Sequence, residues 1–420
     1  MAQRQRGRVF HGWWVVLASM VGLGASVAAL LLWTFGVFLK PVTEEFGWSR
    51  TEYSAAVLFS TVALVLVSPL VGRLVDRHGT RRVALGSGVL LALAFACMGL
   101  LTPAIGHLYA MFAICAIAGA GTSSIVYAHA ISCWFDRRRG LALGLALAGI
   151  GLGALLLPSL AQALIGALGW RRAYVALAAL AAAVSLPVGY LLLRNHPSEM
   201  GLEPDGGSSS PSSGTRPVAA IQAGLTTQQA VRTPTFWLIA AAFGLAGFAV
   251  TGPALHLVAM LTDRGITPVQ AAAAASLSGL GLLAGRVLAG HLMDRFFAPR
   301  VAIFFLLVPA AAMLVLTADV SPAVAIACGA AFGLALGAEV DIVAYLTSRY
   351  FGMRSFGGIY GLQYATFTAA AGAAPVVTGL GYDLSGSYRG ILFAFAAVLL
   401  LATALVTRMG PYPDWSARAT

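Results

Sequence analysis

Charge is what this sequence is shortest of: Asp, Glu, Lys and Arg make up 10% of its 420 residues, while 59% are hydrophobic. A soluble domain of that length needs far more charge to cover its surface, so the solvent here is mostly lipid. Ten-residue segments of alternating hydrophobicity are missing as well, which excludes an outer-membrane β-barrel. The four cysteines, Cys97, Cys115, Cys133 and Cys328, have neither metal nor redox spacing and read as buried apolar thiols. The sequence offers no catalytic triad, no metal-ligand spacing, no phosphate loop and no appended signalling domain. An enzyme or a membrane sensor is therefore disfavoured, and neither cofactor nor metal is expected.

What the chain does have is about twelve apolar stretches, the first at 12–39 and the last at 389–408. Each is long enough to cross a hydrocarbon core of about 30 Å as a helix. Helices are required because backbone polar groups in lipid must be paired internally. The first stretch is too long for a signal-peptide core and no cleavage site follows it. The 26 lysines and arginines outnumber 15 acids, but they gather on alternate loops rather than on one face. That placement is the positive-inside pattern; it argues against a nucleic-acid partner and puts both termini in the cytoplasm.

Between the sixth and seventh stretches lies GGSSSPSSG, the only low-complexity run, which reads as a linker. The expected organisation is a six-helix bundle over 1–196, a cytoplasmic linker over 197–233 and a second six-helix bundle over 234–420. The halves are related by an internal repeat. GRLVDRHGTRR (Gly72 to Arg82) recurs 218 residues later as GHLMDRFFAPR, and GAGTSSIVYAHAISCWF (Gly119 to Phe135) recurs 216 residues later within LALGAEVDIVAYLTSRYF. Both matches fall on corresponding helices of the two halves, as duplication requires.

The pattern G-x-L-x-D-R-x-G-x-R-R, carried by Gly72, Leu74, Asp76, Arg77, Gly79, Arg81 and Arg82, resembles the signature of the major facilitator superfamily. The resemblance implies an all-α integral membrane protein with twelve transmembrane helices in two pseudo-symmetric bundles. Gly72 is expected to let helices approach closely, while Asp76, Arg77 and Arg81, with Asp294 and Arg295 in the repeat, are expected to latch and gate the bundle. CWFDRRRGLALGLALAGIGLG (Cys133 to Gly153), TFGVFLKPVTEEFGWSRTEYS (Thr34 to Ser54) and GAEVDIVAYLTSRYFG (Gly337 to Gly352) are similar to segments of the monocarboxylate transporter family and its bacterial relatives, including oxalate/formate exchangers.

One cation lies deep in a span. Arg286 stands eight residues before Asp294 at the span's end, roughly 12 Å into the membrane. Its presence there costs on the order of 2.5–3.5 kcal/mol. The repeat pairs it with Ser68, so the shared scaffold does not require it. A guanidinium offers a two-pronged fork for a carboxylate, and in the family this chain resembles a helix-eight arginine binds the substrate carboxylate. The other reading is a structural ion pair with an acid of another helix. Two acids, Glu339 and Asp341, lie in the tenth span about 200° apart around the helix. One that loses its proton as substrate leaves would couple transport to protons; alternatively, one neutralises Arg286.

By resemblance, Lys40 receives the anion near the outer mouth, or else snorkels as an end-cap. Asp263 gates with Lys40 or pairs with its neighbour Arg264. Tyr127 and, one turn away on the same face, Ser123 are expected to donate to the carboxylate. Gln363, Tyr364 and Phe367 either complete a rim, with Phe367 as apolar wall, or serve helix packing, and His256 has no partner legible in sequence. Two departures from the family pattern matter. Leu282 stands where mammalian members carry an aspartate, and the eleventh span lacks the lysine with which oxalate exchangers hold a second carboxylate.

The expected function is secondary active transport of small monocarboxylates, lactate or pyruvate, by proton-coupled alternating access. Anion exchange, or efflux of an unrelated solute, stands as the alternative. The expected partners are the anion, protons and lipid, and the expected setting is a monomer in a bacterial inner membrane.

Overall fold

The computed structural model describes residues 10–135, 138–204, 224–352 and 354–413. The GGSSSPSSG linker and the side chain of Asp76 lie outside the described residues. Those that are described form helices, with no strands and a single isolated β-bridge joining Gly224 and Gly352.

The first apolar stretch is not one helix but three: α1 (His11–Gly24), α2 (Val27–Leu32) and α3 (Phe35–Phe46). Local bonds absorb the backbone groups freed at the first break. Ser26 caps α2 by accepting from the Ala29 N–H, and the Val27 N–H donates to Thr122 Oγ1 at 3.1 Å. Then follow α4 (Arg50–His78), α5 (Thr80–Cys97), α6 (Ile105–Gly119), α7 (Ser124–Trp134), α8 (Arg139–Leu168) and α9 (Trp170–Leu192). After the linker come the short α10 (Thr227–Val231), α11 (Pro234–Thr262), α12 (Pro268–Arg295), α13 (Ala298–Val315), α14 (Pro322–Phe351), α15 (Phe356–Ser385) and α16 (Arg389–Thr407).

Eleven segments among the described residues are long and apolar enough to cross a membrane. The remaining expected span, α15, is 30 residues long but is diluted by Gln363, Tyr360, Tyr364 and several Thr and Gly residues. That polarity suits a helix with protein or water on one side.

Contacts gather the chain into two compact units, residues 1–34 with 59–211 and residues 35–58 with 212–420. In the first unit, Gly149 and Gly153 of α8 meet the backbone of Met20 and Gly24 on α1. A side chain at either position would force those helices apart. The second unit repeats the device more densely. Gly281 and Gly285 of α12 face the carbonyls of Ala330 and Leu334 on α14, while Gly329, Gly333 and Gly337 of α14 face those of Ala274, Ser278 and Leu282 on α12. Glycines four residues apart on both helices make one continuous seam, tied at one point by Ser278 Oγ donating to the Gly329 carbonyl at 2.6 Å.

The repeat is not structurally uniform. Helix α14 is unbroken, whereas its counterpart in the first half divides into α6 and α7 through a 3-10 turn at Ala120–Thr122.

Candidate functional site

The seam between α12 and α14 places the charged residues of the second unit. Arg286 directly follows Gly285, and Glu339 and Asp341 follow Gly337, so the close approach that the glycines permit brings the cation and both acids to one level of the membrane. Arg286 is half-buried, its Nε is sealed from solvent without a hydrogen-bond partner, and among the described residues it forms no ion pair. Asp341, itself half-buried, lies close enough to Arg286 to feel its charge, and so does Tyr360 of α15. Glu339 is 2% exposed and neither carboxylate oxygen has a hydrogen-bond partner. Buried polar atoms are nearly always paired, and the orphaned atoms of Arg286 and Glu339 at this level stand open to a partner such as water or a ligand.

Helix α15 carries a row of rings toward this level. Phe356 stacks on Tyr360 at 5.6 Å, Tyr360 lies 6.0 Å from Tyr364, and Tyr364 stacks on Phe367 at 6.2 Å. Tyr364 is 45% exposed. Phe367 packs over Gly247 of α11. Gln363 follows the packing reading: it is buried, its Nε2 donates to the Phe236 carbonyl at 2.9 Å, and it ties α15 to α11.

In the first unit, Tyr127 is 6% exposed and its ring lies against Gly22 of α1, where a β-carbon would collide with the hydroxyl. It borders a small cavity with Ala18, Ala25, Leu30 and Thr122. Ser123 does not sit one helical turn below it as expected. It is the extended residue that opens α7, with φ −75° and ψ 163°, because the helix is interrupted just before it. The close approach expected at Gly72 is likewise absent, since no described atom lies within 4 Å of where its β-carbon would stand.

A second cluster surrounds Asp263, at the end of α11. Lys40 Nζ of α3 lies 3.0 Å from Asp263 Oδ1, and Arg50 of α4 reaches the same carboxylate with both terminal nitrogens. Arg264 turns away and donates to the Ala318 carbonyl at 3.2 Å. Arg50 also donates to the Tyr388 hydroxyl at 2.6 Å and stacks 3.8 Å above the Tyr382 ring. His256 finds its partners here. One ring nitrogen lies 3.0 Å from the Tyr388 hydroxyl and the other 2.9 Å from Ser54 Oγ and 3.1 Å from the Pro375 carbonyl. Asp383 accepts from the Arg50 and Thr51 backbone N–H groups and so caps α4 from another helix. Arg50 had one signal in sequence, a positive charge on a loop that the positive-inside pattern expects to be poor in it. Tyr360, Tyr382, Asp383 and Tyr388 had none.

Asp294 and Arg295 close α12, and Arg77 lies in the last turn of α4. Arg81, in the first turn of α5, donates its side chain to the Tyr190 carbonyl at 2.6 Å.

The chain matches the family model described as Major Facilitator Superfamily over residues 21–251 and 237–417. It is 30% identical to Monocarboxylate transporter 11 of Homo sapiens over 303 residues, covering 71% of this chain and 60% of that protein. Against the Mus musculus protein of the same name it is 26% identical, covering 95% of this chain and 88% of the relative. It is 24% identical to the Oxalate:formate antiporter of Oxalobacter formigenes over 69% of this chain and 62% of that one. Among solved structures, a bacterial homolog of the human lysosomal transporter Spinster, inward-facing and unoccupied, superposes with a TM-score of 0.67 at 17% identity, covering 95% of this chain and 97% of that one. With eleven apolar spans among the described residues, two compact units and a family match that runs almost from end to end, the chain belongs to the Major Facilitator Superfamily and is a multi-pass membrane transporter, not an enzyme.

Proposed function

We propose that this transporter carries small monocarboxylate anions of the lactate and pyruvate kind, coupled to protons, by alternating access. The observation that carries the reading is the state of Arg286: a guanidinium inside the membrane, in no ion pair among the described residues, with a buried nitrogen left unbonded. An intramembrane arginine costs about 3 kcal/mol, and a guest carboxylate that accepts from the fork offsets that cost. The presence of one such cation, and no lysine or arginine within α15, favours a single carboxylate over two. Glu339, buried and unbonded, and Asp341, beside Arg286, are the groups available to a coupled proton. Tyr364, Phe367 and Tyr127 are proposed as walls of the path, and Lys40 as an early station for the anion once it releases Asp263.

The relatives' names, monocarboxylate transporter and oxalate:formate antiporter, agree with an anion as cargo. The placement of positive charge supports a bacterial inner membrane with both termini in the cytoplasm. A monomer built of bundles over 1–196 and 234–420, joined through 197–233, belongs to the same reading.

Purified protein in liposomes, assayed with labelled lactate, pyruvate, formate and oxalate with and without an imposed pH gradient, tests it. Saturable lactate or pyruvate uptake driven by the gradient, lost in Arg286→Ala and only partly kept in Arg286→Lys, is expected. Absence of saturable carboxylate flux, or an Arg286→Ala variant that transports like the parent, overturns it. The name of the Oxalobacter relative favours exchange as a second reading, in which flux needs an anion inside the vesicle and ignores the gradient.

A further inference from the structure

The basic loop after α4 does more than orient the chain. Beside it, in the first unit, opens a cavity of about 450 Å³ lined by His78, Arg81, Arg82, Leu85, Tyr190 and Asn195. Its frame is rigid. Gly79, at φ +80°, turns the chain from α4 into α5 so tightly that a β-carbon there would meet the Asn195 amide. Asn195 Oδ1 in turn accepts from the Arg81 backbone N–H at 2.9 Å. The guanidinium of Arg81 lies 4.8 Å from the centre of the Tyr190 ring and donates to that residue's carbonyl. Its Nε remains buried without a partner.

Among the described residues no acid lines this cavity. Among the described residues, Arg82 and His78 form no ion pair or side-chain hydrogen bond. Glu199 accepts from Asn195 Nδ2 at 2.9 Å and is not among the lining residues. Arg81 and Arg82 stand in the first turn of the 18-residue α5, whose N-terminal end carries a partial positive charge.

We propose that this cavity binds the phosphate group of an anionic membrane lipid. A tetrahedral phosphate suits two arginines, a histidine and a helix N-terminus. The source is set by what lies further along the same two helices: Val89, Leu90 and Leu93 of α5, with Val184 and Leu191 of α9, are each 44–62% exposed. In a transporter those side chains meet acyl chains, so the cations stand at the foot of a lipid-covered surface, with Tyr190 at the level of the headgroups. A soluble phosphate compound gains nothing from that apolar face; a glycerophospholipid uses both parts.

Native mass spectrometry of the delipidated, detergent-solubilised full chain tests the assignment with three probes: phosphatidylglycerol, phosphatidylcholine and inorganic phosphate. Phosphatidylglycerol is expected to be retained preferentially over phosphatidylcholine, and Arg82→Gln to weaken its retention about fivefold. Arg295→Gln, at the corresponding loop of the second half, is expected to leave it unchanged. Arg81→Ala removes a bond to the fold and can fail for that reason; Arg82→Gln removes none, so it decides the matter. Equal retention of the two lipids, or an Arg82→Gln protein that holds phosphatidylglycerol like the parent, overturns the site. Inorganic phosphate bound as tightly as the lipid and lost in Arg82→Gln overturns the lipid as its source.

Discussion

Arg50 grips Asp263 at two points, Nη1 to Oδ2 at 2.6 Å and Nη2 to Oδ1 at 2.9 Å, with the guanidinium stacked on Tyr382. Both oxygens of one carboxylate are thereby occupied, and Lys40 shares one of them. The pair fastens the α3–α4 segment to the end of α11, and its fork geometry makes it a specific fastening rather than a diffuse attraction.

Arg50→Ala and Asp263→Asn are each expected to lower stability by about 1–3 kcal/mol, less than for a fully sealed pair because the Asp263 side chain is 20% exposed. The double variant should lose much less than the sum, since either change alone destroys the same contact. Thermal unfolding in detergent supplies the measurement, and strict additivity of the two losses would show that the contact contributes nothing. Arg50→Lys should recover only part, because a single ammonium cannot span both oxygens.

His256 connects that fastening to the interior. The Pro375 carbonyl can only accept, which assigns the ring proton to Nε2 and leaves Nδ1 to accept from the Tyr388 hydroxyl. Tyr388 then uses its oxygen to accept from Arg50, so the imidazole, the phenol and the guanidinium bond in series. His256→Phe fills the volume but orphans the Tyr388 proton and the Pro375 carbonyl, with an expected loss of about 1–3 kcal/mol for each group left unsatisfied. Tyr388→Phe should cost less, because Arg50 keeps Asp263. Unfolding midpoints ranked His256→Phe below Tyr388→Phe below parent are the expected order, and the reverse order would contradict the assigned directions.

The spans were legible because their signal is collective: some twenty apolar residues outweigh any local exception. Breaks within spans were not, because the cost of freeing a few backbone groups at Ser26 or Ser123 is met by single bonds, such as Val27 to Thr122, that have no sequence spacing. Arg286, Glu339 and Asp341 announced themselves by sitting where charge is expensive. Gln363 looked equally exceptional, yet its amide serves the Phe236 carbonyl. A lone polar residue in a span declares that it needs a partner, not which one. The network around Asp263 shows the same limit, since it joins residues more than 300 positions apart, as from Arg50 to Tyr388.

Gly333→Ala or Gly337→Ala should damage the seam that aligns Arg286 with Glu339 and Asp341. A methyl group at either place meets a backbone carbonyl of α12, which cannot rotate away, so the helices must separate. A loss of about 1–3 kcal/mol is expected, with anion affinity falling along with stability because the charged residues shift apart. Gly290→Ala, on the same helix as Arg286 but with open space around it, is the internal control and should be neutral. Comparable losses in all three variants would point to handling rather than to the seam, since alanine has the higher helix propensity at each position.

Glu339→Gln isolates the proton from the scaffold. The two side chains have nearly the same shape, and the carboxylate oxygens have no hydrogen bonds in the fold to lose, so the variant should reach the membrane folded. If Glu339 takes up and releases the coupled proton, the amide cannot, and uptake driven by a pH gradient should fall at least about tenfold while anion-for-anion exchange continues. Asp341→Asn should behave differently. It removes the negative charge that Arg286 feels, leaves the guanidinium less compensated, and so should tighten the hold on a carboxylate and slow its release. Counterflow and gradient-driven uptake measured side by side separate the two acids. Gradient-driven uptake that survives Glu339→Gln but disappears in Asp341→Asn would reassign the proton to the residue beside Arg286.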